Sequence, residues 1–166
     1  MNGDLALLAN ATVRALIARG ETLSSAESCT GGLIAKAITD IPGSSAAFAG
    51  ACVTYTNEVK IKLLGVDPSI IERESEVSFA CAEAMAKGAR ERLGTTYALS
   101  TTGYAGPGGG TEKDPVGTVY LALATGEGVR SERICAPVGA TRSEVRTLAA
   151  MHALKMLERA LCAKDK

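Results

Sequence analysis

The chain has 166 residues, 46% of them apolar and 22% charged, the usual balance for one globular α/β-sized domain spanning 1–166. Its 18 basic and 18 acidic residues cancel, and four Tyr, two Phe and no Trp leave few stacking surfaces, which argues against a nucleic-acid module or an anionic-lipid binder. Five cysteines at 29, 52, 81, 135 and 162, with no C-x-x-C pair and His152 as the one histidine, cannot build a Cys/His zinc cluster and read as small residues of a reducing compartment.

The N-terminal segment repeats Leu5, Leu8, Val13, Leu16 and Ile17 at helical spacing and stops at Gly20, predicting a helix over 4–19. Asp4 and two arginines interrupt it, so it has neither the order of a signal peptide nor the length of a membrane span; a cytoplasmic protein is expected, without membrane contact. A short strand over 22–26 follows, then Thr30-Gly31-Gly32 opens a helix over 33–39 that ends before Pro42-Gly43. Residues 47–55 read as a buried strand, and Asn57 as the N-cap of a helix through Leu64 closed by Gly65. A helical turn over 69–74 and a clearer helix over 78–93 precede a core strand at 97–102 and the glycine-rich stretch Gly103–Gly110. Residues 116–124 and 129–137 form a β-hairpin, and 141–161 the longest helix. Alternating helices and strands with one antiparallel pair predict a three-layer α/β/α domain with a mixed sheet.

Three segments lie where strands meet the next element, the usual place for sites in such folds. In Ser25–Gly32, hydroxyls and glycines at a helix start leave backbone N–H groups that suit a phosphate or carboxylate; an ordinary cap by Thr30 fits equally, and Cys29 is a remote candidate nucleophile with no base nearby in sequence. In the segment from Gly43 to Lys60, an Asn57 cap puts Lys60 at the third helical position, where the helix dipole disfavours a cation. Burial there would make it a lysine general base, although Glu58 opposes this and a solvated lysine remains open. The stretch from Thr101 to Gly110 matches neither a P-loop nor a dinucleotide fingerprint; a loop over a site and a plain connection both fit. Arg142 is either an anion contact or a solvated residue.

Taken in order, Ala26–Gly32, Gly43-Ser44-Ser45, Val53-Thr54-Tyr55 with Asn57-Glu58 and Lys60, Gly103 with Ala105-Gly106-Pro107, and Pro115–Val119 resemble the C-terminal domain family of the competence/damage-inducible protein CinA. That family includes nicotinamide mononucleotide deamidases similar to serine amidohydrolases with a Ser/Lys pair. The resemblance implies hydrolysis of the nicotinamide carboxamide to nicotinate mononucleotide and ammonia, without metal or cofactor. It implies Ser45 as nucleophile, Lys60 as base, and Tyr55 and Ser28 as supporting hydroxyls. Substrate contacts fall to Thr102, Gly103, Gly106 and Arg142, with the phosphate on Arg142, on the glycine-rich loop or on the helix start at Thr30, Gly31 and Gly32. The chain departs from the family pattern at Thr56, where Ser is more usual, and at Thr102-Gly103-Tyr104 in place of Ser-Gly-Ile. Full-length members also carry an N-terminal domain related to molybdopterin-binding proteins, whose activities are not carried over. The competing expectations are a non-catalytic nucleotide- or protein-binding module linked to competence or DNA damage, and an amidase for another small amide. A homo-oligomer is expected in either case, because a small apolar α/β domain pairs readily through a helix face or sheet edge.

Overall fold

In the computed structural model, which describes residues 2–163, five strands form one sheet: β1 (Leu23–Glu27), β2 (Phe48–Val53), β3 (Tyr97–Gly103), β4 (Thr118–Thr125) and β5 (Gly128–Cys135). Their order is β2-β1-β3-β4-β5. The first three are parallel, and β4 and β5 add the antiparallel pair as a hairpin turning through Gly126-Glu127. Helices α1 (Asn2–Arg19), α2 (Leu33–Thr39) and α6 (Arg142–Ala163) share a core with one face, and α3 (Asn57–Leu64), α4 (Pro68–Glu74) and α5 (Phe79–Leu93) with the other. The expected mixed sheet between two helical layers is the observed fold. No helix among the described residues is long and apolar enough to cross a membrane.

Side-chain size separates the two faces. Because strand residues alternate between faces, Leu99, Leu121 and Leu123 project toward α1 and α6, while Ala98, Tyr120, Ala122 and Ala124 lie under α5. Small residues on α5 (Ala82, Ala86, Ala89) meet small residues on the strands, which lets that helix pack close to the sheet. It packs as closely against α3: a Cβ added at Gly88 would lie 2.0 Å from the Leu64 carbonyl oxygen. That contact seats α3, and therefore Lys60, on the sheet edge.

Several boundaries differ from expectation for local reasons. The cap of α3 is Thr56, whose hydroxyl accepts from Val59 N at 3.4 Å, so Asn57 is the first helical residue and Lys60 the fourth. Strand β2 spans Phe48–Val53 rather than 47–55, because Ala47 closes the 3-10 turn Ser44–Ala46 before it and the chain leaves the strand after Val53 for the Thr56 cap of α3. Residues Glu27, Val53 and Thr101 stand side by side in the parallel strands. Ser28, Thr54 and Thr102 therefore emerge together at the carboxyl edge, where parallel sheets place their sites.

Candidate active site

At that edge lies an open cleft of about 340 Å³ whose lining includes Ser28, Lys60, Glu76, Thr102 and Arg142. Lys60 is 1% exposed, its ammonium donating to Ser28 Oγ at 3.1 Å and to the Thr54 carbonyl at 3.0 Å. Chain geometry forces this placement: β2 ends at Val53, the Thr56 cap turns the chain into α3, and the first full helical turn brings Lys60 back over the strand end. Burial holds the lysine pKa below its ordinary value, while the negative charges available to Cys81, Glu76 and Cys29 pull it back up by less. The structure thus selects the buried lysine over the solvated one. Lys62, two residues on, is exposed. The Cys29 thiol also lines the cleft, but burial pushes its pKa up to about 12, which disfavours a thiolate nucleophile.

The helix start at Thr30, Gly31 and Gly32 is not an open anion site, because the protein's own carboxylate fills it. Glu27 is fully buried and accepts from Gly32 N at 3.0 Å, Ile34 N at 3.1 Å and Ala35 N at 2.9 Å. The hydroxyls of Ser25 and Thr30 also donate to it. A phosphate there would have to displace this carboxylate, so Thr30, Gly31 and Gly32 serve as scaffold; Gly31 and Gly32, at φ 60° and 92°, make the left-handed turn that aims the amides inward. Sequence reading missed Glu27, although one acidic residue closing an otherwise uncharged strand before a glycine turn is a usable signal. Glu27→Gln turns an acceptor into a donor facing those amides, and should lower unfolding stability by about 3 kcal/mol in chemical denaturation.

Of the remaining expected residues, Ser45 lies elsewhere. It is exposed on the 3-10 turn before β2, whereas Lys60 follows the other end of that strand, six residues at about 3.3 Å each away. Within one chain the expected Ser45–Lys60 pair does not form; the hydroxyl on the lysine is Ser28. Tyr55 is likewise not on Lys60: it is exposed, and its phenolic oxygen accepts from Arg142 Nη2 at 2.7 Å. Arg142 also donates to the Gly106 carbonyl at 2.6 Å, so Gly106, Arg142 and Tyr55 form one side of the mouth. Thr102 lines the cleft and donates to the Glu76 carbonyl at 2.6 Å, with Gly103 beside it. The later part of the glycine-rich stretch is tied down away from the cleft, through Thr111 and through Asp114, which accepts from Tyr120 and Arg133. Asn57 and Glu76 also line the cleft. Sequence reading gave Asn57 only a capping role and left Glu76 out, since no spacing rule carries the α4–α5 loop to the end of β1.

The family described as CinA C-terminal domain matches residues 5–161, almost the whole chain. The chain belongs to the CinA C-terminal domain family. A CinA-like protein of Myxococcus xanthus is 54% identical over 87% of this chain, and one of Synechocystis is 53% identical over 86%. The matches cover 34% and 35% of those two proteins, so the chain spans about a third of the length of the curated relatives it matches. Among solved structures, the competence/damage-inducible protein CihA of Agrobacterium tumefaciens superposes with a TM-score of 0.91 at 41% identity, over 95% of each chain. A CinA superfamily protein of Klebsiella pneumoniae gives 0.91 at 33% identity, over 96% of this chain and 98% of its own. CinA membership thus rests on sequence and on fold independently.

Proposed function

We propose that this CinA domain is an amidohydrolase that converts nicotinamide mononucleotide to nicotinate mononucleotide and ammonia, with Ser28 as nucleophile and Lys60 as its base. The observation that carries the reading is the buried amine, its pKa lowered, 3.1 Å from a serine hydroxyl inside an open cleft. The substrate follows from the resemblance to deamidases of this family.

The chemistry balances on residues present. Neutral Lys60 keeps one N–H on the Thr54 carbonyl and turns its lone pair to the Ser28 hydroxyl. Ser28 Oγ attacks the carboxamide carbon as its proton passes to Lys60. The tetrahedral intermediate then collapses, its C–N bond breaking as Lys60 returns that proton to the departing nitrogen, which leaves as ammonia. Water hydrolyses the acyl-enzyme, Lys60 accepting its proton and handing it back to Ser28. General acid–base help of this kind is worth about 10²–10⁴-fold. The α2 start is closed by Glu27 and the α6 start capped by Glu144 through Thr141, which supports the guanidinium of Arg142, beside the cleft-lining start of the glycine-rich loop at Gly103–Ala105, as the phosphate contact.

The test is ammonia release from nicotinamide mononucleotide by the purified chain, with and without a chelator. Release unaffected by chelation supports the reading. A silent wild type that still binds the nucleotide would replace it with a non-catalytic binding module, and release only from other amides would move the substrate class.

A further inference from the structure

The cleft contains one carboxylate that the mechanism above does not use. Glu76 lines the wall contributed by the α4–α5 loop, where it is half-buried, and its charge acts on both Lys60 and Cys81. Its presentation is built at a cost. Ser75, just before it, has φ 76°, and is the sole non-glycine residue at positive φ among the described residues. A glycine would occupy that conformation without strain, but it would lose what the serine side chain does. Ser75 Oγ donates to Glu76 Oε2 at 3.2 Å and accepts from Val77 N at 3.2 Å. The loop is further fixed by Ser78 Oγ on the Ser75 carbonyl at 2.9 Å, and by Thr102 on the Glu76 carbonyl at 2.6 Å. Backbone strain, a side-chain hold and two carbonyl ties converge on one carboxylate facing the reacting serine's cleft.

Charge is therefore divided along the cleft, with buried Lys60 and half-buried Glu76 on its walls and exposed Arg142 at the mouth. A plain anion would be repelled by a carboxylate there, and an uncharged amide would gain a hydrogen bond from it but no charge pairing. We propose that Glu76 is a specificity-determining residue that selects ligands whose ring carries a positive charge, such as a pyridinium, while Arg142 holds an anionic group at the other end. This deepens the amidase reading and rests on it: the N-substituted nicotinamide ring is a cation bearing the scissile carboxamide, and its phosphate is the distal anion.

The experiment compares two probes differing by one ring charge, nicotinamide mononucleotide and its reduced form with a neutral dihydropyridine ring, by calorimetric titration of wild type and Glu76→Gln, each also carrying Ser28→Ala so that neither probe is consumed. The Glu76→Gln substitution keeps size and shape, and thermal melting confirms the fold. The wild type should prefer the charged ring, and Glu76→Gln should shrink that preference by about tenfold, the value of one partly solvated ion pair. An unchanged preference in Glu76→Gln, or equal weakening of both probes, overturns the proposal. A wild type that releases ammonia from the mononucleotide while the preference is unaffected overturns this inference and leaves the amidase reading standing. A wild type that binds neither probe overturns both.

Discussion

Ser28→Ala is expected to lower ammonia release from nicotinamide mononucleotide by on the order of a thousandfold or more in kcat, with KM nearly unchanged, whereas Ser45→Ala stays near wild type. Both serines lie in motifs that resemble the family, and that resemblance implies Ser45 as the nucleophile. The difference lies in position. Ser28 Oγ is within hydrogen-bonding distance of a buried amine and Ser45 is on the opposite edge of the sheet, exposed. A nucleophile has to touch its base in the resting enzyme or after a small movement, and no small movement carries a residue along the length of a strand. Ser28 also has little other work: its backbone amide bonds the Thr101 carbonyl, so the residue stays in place when the hydroxyl is removed and the variant should fold. Steady-state kinetics on both variants, with burst-phase detection of the acyl-enzyme, decides between them. A large loss in Ser45→Ala with Ser28→Ala active would mean that Ser45 reaches the Lys60 cleft of a second copy of the chain, and mixing Ser45→Ala with Lys60→Met, each inactive alone, would then restore activity.

The fold was legible because its signals are local and redundant. The apolar period of α6, the Gly65 stop of α3 and the paired runs of the β4–β5 hairpin each specify their element without help from the rest. Lys60 was legible as a candidate for the same reason, since its place near a helix start follows from a short window. What was not legible depends on contacts across the fold. The Ser25–Gly32 segment carries every mark of an anion site, and it is one, but the anion is Glu27 from the preceding strand. Whether a helix start faces a ligand or a side chain is decided by the direction in which Glu27 emerges from β1, which no spacing reveals. Tyr55 and Arg142 are 87 residues apart, and only the sheet order brings them to one mouth. Glu76 was invisible because its loop is held at the cleft by a bond from Thr102, 26 residues further on, to its carbonyl, a contact no local spacing reveals.

Lys60→Met should remove activity by about 10²–10⁴-fold or more, and should also change how stability depends on pH. In the folded chain burial lowers the Lys60 pKa from 10.5, and in the unfolded chain it is ordinary. Between those two values the unfolded state binds more protons, so stability rises as pH rises through that window. Below the folded pKa the full penalty for protonating a buried amine is present; above about 10.5 it has vanished. Methionine fills similar space without titrating. The difference in melting temperature, variant minus wild type, should therefore be most favourable to Lys60→Met at neutral pH and decline toward alkaline pH. The lost hydrogen bonds to Ser28 and Thr54 offset part of this difference, and any change in their strength on protonation is already contained in the folded pKa, so the slope carries the result. Activity reports the same group from the other side: kcat/KM of the wild type should rise with pH along a limb centred below 10.5, because only the neutral amine can accept the Ser28 proton. A melting difference that stays flat with pH would mean that the lysine is no harder to protonate when folded than when unfolded, and the general-base assignment would fall with it. A stable, inactive Lys60→Met variant with the expected slope would show that the domain gives up stability to keep a neutral amine beside its serine.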